Sequence, residues 1–218
     1  MASRVWLVAL VVLLPTSACA QTTVLPNGTY VYAMYDSGTN VGSSTITVGR
    51  SGGDVAISEH ASPMEDGETT RRILDGTTFA TNSYADDNSG KTVLSVTIDG
   101  SVATLHNAVG TQTFTAPAGN RFVIFDGGVA AFFHLPAMLR ADPSPVSMLS
   151  ILFANKLAPV VPSGVPGPRP PGVPSNAVAI ALKDEGATGT LWYDPQTRIL
   201  QEFDFPSHGI AFKLVSTR

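Results

Sequence analysis

Charge is scarce in this chain. Only 14% of its 218 residues are Asp, Glu, Lys or Arg, and the net charge is −4. No basic block occurs, so the electrostatic footprint expected of a nucleic-acid binder is missing. Attraction to anionic membrane surfaces is missing for the same reason. A single cysteine, Cys19, rules out an internal disulfide, so a secreted form must be held together by its core. After the N-terminus no apolar run approaches the roughly 20 residues that span a bilayer. No metal-binding or cofactor-binding signature stands out, and no cofactor is expected.

The N-terminus carries the clearest signal. One positive charge in Met1–Arg4 precedes the apolar run Val5–Leu14, and Ala18-Cys19-Ala20 supplies small residues after Pro15-Thr16-Ser17. That order of regions predicts a secretory signal peptide over residues 1–20, with a mature start at Gln21 and export to the periplasm, envelope or exterior. Read instead as a lipobox, Thr16–Cys19 makes Cys19 the lipidated first residue of an anchored protein. About 198 residues remain, enough for one domain with a real core.

The remainder reads as short β runs separated by turn chemistry. Thr29–Tyr35, Val41–Val48, Thr92–Ile98 and Val102–His106 alternate or are rich in β formers. Asp75-Gly76 and Asp99-Gly100 lie between such runs, as in hairpins with positive φ in the turn. Residues 129–157 change character: Val129–Arg140 and Val146–Leu157 are apolar without alternation and predict short helices. Pro159–Pro174 then holds seven prolines in sixteen residues. Each proline removes a ladder donor, which predicts an exposed strap outside the sheet. Strand patterns return over Ala177–Leu182, Gly189–Tyr193, Ile199–Phe205 and Ile210–Val215. The expected fold is mostly β (α+β), a curved antiparallel sheet or half-barrel covered by a short helical insertion.

Motifs give little chemistry. Gly49-Arg50-Ser51-Gly52-Gly53 fits the nucleophile-elbow spacing, but it lies between two strand-like runs and reads as a hairpin turn. His60, His106, His134 and His208 have no metal-ligand spacing and read as surface residues. Glu59 and His60 are adjacent, so on a strand they face opposite sides. Asp86–Gly90 lacks the closing glutamate of a calcium loop and reads as a polar turn.

Tyr30–Val48 and Gly189–Val215, the latter with Trp192, Asp194 and Thr197 in a W-x-D-x-x-T strand–turn–strand pattern, resemble the LolA/LolB-like periplasmic β proteins. The resemblance implies a strongly curved antiparallel sheet around a helical plug, with a cavity for acyl chains. Tyr30, Tyr32 and Met34 lie on a strand apolar on both faces, as in a covered sheet or a cavity wall. With Phe132, Phe133, Met138, Met148 and Trp192 they are the candidate lining of a cavity between sheet and helices. The expected function is an exported, non-enzymatic protein binding a hydrophobic or lipid-like ligand. A structural or interaction module of the envelope, docking through its proline strap, is the alternative. A hydrolase with no sequence-readable site is the second alternative.

Overall fold

A computed structural model describes residues 24–62, 68–142, 144–151, 156–162, 165–184 and 187–218. The expected signal peptide, the Gln21 start and Cys19 lie outside the described residues. Nine strands come first: β1 (Gly28–Asp36), β2 (Thr39–Ser51), β3 (Asp54–Ser62), β4 (Glu68–Asp75), β5 (Thr81–Asn88), β6 (Lys91–Asp99), β7 (Val102–Asn107), β8 (Gly110–Thr115) and β9 (Arg121–Phe125). Two short helices follow, α1 (Ala130–Phe133) and α2 (Leu135–Ala141). The chain then forms β10 (Val146–Ser150), β11 (Lys156–Pro162), β12 (Val178–Asp184), β13 (Ala187–Tyr193), β14 (Leu200–Phe205) and β15 (Ile210–Thr217).

All fifteen strands join one open sheet, which runs from β8 back to β1, then from β15 back to β9. Neighbours pair antiparallel apart from β9 and β10, which run parallel. The crossover through α1 and α2 is what a parallel pair needs. The fold is thus mostly β, as the turn chemistry predicts, with helix confined to short pieces.

Alternation decides which residues face in. On β3, Val55, Ile57, Glu59 and Ala61 are buried while their neighbours are not. The inner face of β1–β3 and β13–β15 collects Tyr32, Ile46, Ile57, Leu191, Phe203 and Phe212 around the helices. Every residue from Val129 to Met138 is buried, as expected of a helical segment apolar all round. Phe132 stacks on Phe203 at 4.1 Å, and Phe133 meets Tyr32 edge-on at 6.2 Å. A second core, with Tyr84, Val96, Leu105, Phe122, Ile124 and Leu149, packs the β5–β8 wing of the sheet on β9–β11.

Three local expectations are corrected. Helix over 129–157 ends at Ala141; within Val146–Leu157, Val146–Ser150 is β10 and Lys156 begins β11. β10 is paired on both sides, and its Val146, Ser147 and Leu149 are buried. A strand buried on both faces reads as a continuous apolar run, indistinguishable by periodicity from a buried helix. The proline-rich segment also contributes to the sheet. Pro159 lies opposite Ser147 of β10, while β12 pairs only with Val161 and Pro162. Each proline therefore has a partner strand on one side alone, the edge-like position where a missing N–H is tolerated. From Val165 to Pro174 the strap is largely exposed, except Val173. Finally, Asp86 and Asp87 are the end of β5 rather than a turn, and Ser89-Gly90 turns the chain.

Candidate functional site

The two cores meet at a polar mouth between the sheet and the β9–α1 connection. Alternation brings Glu59 inward on β3, Thr70 and Arg72 on β4, and Tyr84 on β5. Glu59 accepts hydrogen bonds from Ser44 Oγ at 2.6 Å, from the Val129 amide at 2.8 Å and from the Ala130 amide at 3.1 Å. Gly128 lets the chain come this close, since a Cβ there would lie 2.3 Å from Glu59 Oε2. Arg72, fully buried, donates to Thr70 Oγ1 at 3.0 Å, lies 3.7 Å from Glu59 Oε2 and pairs with Asp126. Its guanidinium also sits 5.1 Å from the centre of the Tyr84 ring, a distance suited to a cation–π contact.

Beside this network opens a cleft of about 150 Å³. Its walls carry four carboxylates, Glu59, Glu68, Asp86 and Asp126, and the apolar groups of Ala61, Leu94 and Ile151 with Tyr84. Asp86 Oδ1 is buried and has no hydrogen-bond partner. Burial, then Glu68, Asp126 and Asp87, push the Asp86 carboxyl up to about 6. Burial also raises Glu59, with Asp126 adding to it and Arg72 opposing it. Among the described residues no three His, Cys, Asp or Glu side chains are grouped as metal ligands.

The expected lining residues fall in two places. Tyr30, Tyr32, Phe132, Phe133 and Met138 are buried together in the helix-centred core, and Met34 and Met148 pack half-buried against it. Tyr32 Oη donates to the Leu200 carbonyl at 2.7 Å, and Tyr30 Oη to the Pro26 carbonyl at 2.7 Å. Trp192 is elsewhere. Its neighbours Leu191 and Tyr193 are fully buried, and Leu191 belongs to the helix-centred core, so alternation turns Trp192 to the outer face. There it lies opposite Glu202, and Glu202 opposite Lys213. An open concavity of about 560 Å³ adjoins that row, lined by Tyr35, Glu202, Asp204, Pro206 and Lys213 among others.

His134 corrects the surface reading of the histidines. It is fully buried between α1 and α2, with Nδ1 2.8 Å from the Ala130 carbonyl. His60, His106 and His208 are exposed. Ser51 of the elbow-like motif is exposed at the β2–β3 hairpin, as its turn reading requires. Glu59, Arg72, Asp86 and Asp126 were not legible as a group from motifs. The available signal was a charged residue at an inward position of an alternating strand, as in Val55-x-Ile57-x-Glu59-x-Ala61. No family model, curated protein or solved structure matches the chain.

Proposed function

We propose that this is an exported, non-enzymatic binding module whose site is the acidic mouth between sheet and helical insertion. The ligand is a small organic cation with a short apolar tail. One observation carries the reading: four carboxylates line a cleft in which Asp86 Oδ1 lacks any partner. Buried acceptors are normally satisfied, and an orphan at a cleft wall is the place for a donor supplied from outside. An ammonium group supplies both the donor and the opposite charge. Leu94, Ile151 and Ala61 then offer apolar cover for the tail.

Size narrows the hydrophobic ligand expected from the sequence. The cleft is smaller than the 300–1,000 Å³ typical of sites for drug-sized molecules. An acyl chain on the concave face would have to displace Phe132 and Phe133, which pack on Phe203 and Tyr32. The antiparallel meander packed on the α1–α2 segment is in keeping with the LolA/LolB-like reading, with the filled interior and the second core as departures. Binding rather than catalysis is favoured because the Glu59 carboxylate is engaged by Arg72, Ser44 and the Val129 and Ala130 amides.

Calorimetric titration with n-butylammonium, with butyrate and n-butanol as controls, tests this. The ammonium binds saturably, butyrate does not, and Asp86→Asn abolishes the heat. A flat isotherm for the ammonium, or equal binding of butyrate, rejects the reading.

A further inference from the structure

The outer face of β13–β15 holds an unexplained arrangement. Trp192 and Glu202 are cross-strand partners, only 8% and 7% exposed. The indole Nε1 and the Glu202 Oε2 are both buried, and neither has a hydrogen-bond partner. Lys213, next in the same row, stands 3.6 Å from Glu202 Oε2 because its Nζ donates instead to the Pro171 carbonyl at 2.6 Å. The Gly167 amide donates to Thr190 Oγ1 at 3.1 Å. Residues 167–171 therefore cross from β13 to β15 over the Trp192–Glu202 row. Val173, 8% exposed, is the one buried side chain among the described residues of the strap.

This cover fits its seat poorly. Leaving the buried indole donor unmade, with the Glu202 carboxylate given only a 3.6 Å ion pair to Lys213, is unfavourable, yet both lie beneath a segment with few donors to give. Five of the ten residues from Val165 to Pro174 are proline, and a proline-rich chain adopts the extended polyproline helix with its carbonyls projecting outward. Aromatic-lined surfaces are the recurrent docking sites of such helices, and here Trp192 lies beside Glu202. The open concavity beyond Lys213 adds Asp204 and Tyr35 to Glu202, a setting for a basic side chain. Burial raises both Glu202 and Asp204, which a bound cation relieves.

We propose that the outer face of β13–β15 is a docking surface for a proline-rich peptide carrying an Arg or Lys, and that residues 165–174 occupy it in cis. The trans peptide offers a carbonyl to Trp192 Nε1 and its cation to Glu202 and Asp204. The strap is then a tethered competitor. Its effective concentration, of millimolar order for a short tether, keeps the surface closed to weak partners.

The test uses the strap's own sequence as probe. The synthetic peptide VPGPRPPGVP, residues 165–174, is titrated into protein in which residues 165–172 are replaced by Gly and Ser. In the form that starts at Gln21, Trp192 is the sole tryptophan emitter. The expected result is a saturable change in Trp192 emission, weakened severalfold by Glu202→Gln. In the chain with its native strap, saturation needs peptide at or above about the millimolar tether concentration. Thr190→Val, which removes the acceptor of the strap's Gly167 amide and keeps both the strap sequence and the Glu202–Lys213 pair, binds the peptide more tightly than the native chain does. This second variant decides the matter if the replacement unfolds the protein. No emission change in either variant overturns the proposal, as does equal binding of an all-Gly/Ser peptide.

Discussion

Glu59 Oε1 accepts the Val129 amide hydrogen bond at 2.8 Å, and so ties the third strand to the start of the helical insertion. The same carboxylate faces Arg72, which has no exposure and also pairs with Asp126. Removing one member of such a buried set leaves the opposite charge uncompensated, at about 3–5 kcal/mol. Glu59→Ala and Arg72→Leu are each expected to lower stability by that amount in urea denaturation. Replacing Glu59, Arg72 and Asp126 together by apolar residues of similar volume costs less than either single change. A larger loss in the triple variant would show that these groups act independently.

Asp86 predicts a trade between stability and binding. Its carboxyl titrates at about 6 in the fold against an ordinary 3.8. A raised folded value means that the fold favours the protonated form, so ionised Asp86 burdens stability above pH 6 and the burden is gone below 3.8. Asp86→Asn should stabilise the protein at neutral pH by about 1 kcal/mol or less, since partial exposure screens the charge. That corresponds to a Tm rise of about 2–4 °C at most. The gain should disappear in acid, where wild type and variant melt together. A Tm unchanged at neutral pH would place Asp86 in ordinary solvent.

His134 acts with the opposite sign. Burial, with the Arg72 charge assisting and the Ala130 hydrogen bond opposing, depresses its pKa to about 4 from 6.5. A depressed folded value makes the neutral ring's contribution complete above 6.5, and lost as pH falls toward 4. The Asp126 carboxylate partly offsets this. His134→Leu should therefore flatten the fall of unfolding free energy between about pH 6.5 and 4. Wild type and variant with parallel slopes across that window would contradict a buried neutral imidazole.

Two hairpins in distant parts of the chain close alike. Asp75 Oδ1 accepts from the Thr77 amide, the Thr78 amide and Thr78 Oγ1, while Asp194 Oδ1 accepts from the Gln196 amide, the Thr197 amide and Thr197 Oγ1. In both, the fifth residue, Phe79 or Arg198, takes a positive φ of 58° or 63°. Each Asp→Ala change should cost about 1–2 kcal/mol, like the loss of a helix-capping side chain. Phe79→Gly and Arg198→Gly relieve the left-handed strain but lose the side chain. Arg198→Gly is the milder, because Phe79 is buried. Chemical denaturation of the four variants checks the order.

These loops also show what was legible. Asp75-Gly76 announced a turn, but the positive φ falls at Phe79, because the Asp75 side chain and not the glycine organises the loop. The meander followed from turn chemistry and alternation. β10 did not, because burial on both faces erased its period. Glu59 was correctly separated from His60 by strand geometry, being buried where His60 is exposed. Its partners Arg72 and Asp126 come from positions 13 and 67 residues away; the β3–β4 pairing sets Thr70 opposite Glu59 and Arg72 opposite Ile57, and Asp126 follows the end of β9.

The most direct test of the acidic mouth is the pKa of Asp86, followed by its side-chain carbonyl resonance in a pH titration with and without n-butylammonium. The free value should lie near 6 and fall as the ammonium saturates the site, because an adjacent cation favours the ionised carboxylate. Titration at the ordinary aspartate value of 3.8, unmoved by the ammonium, would contradict it.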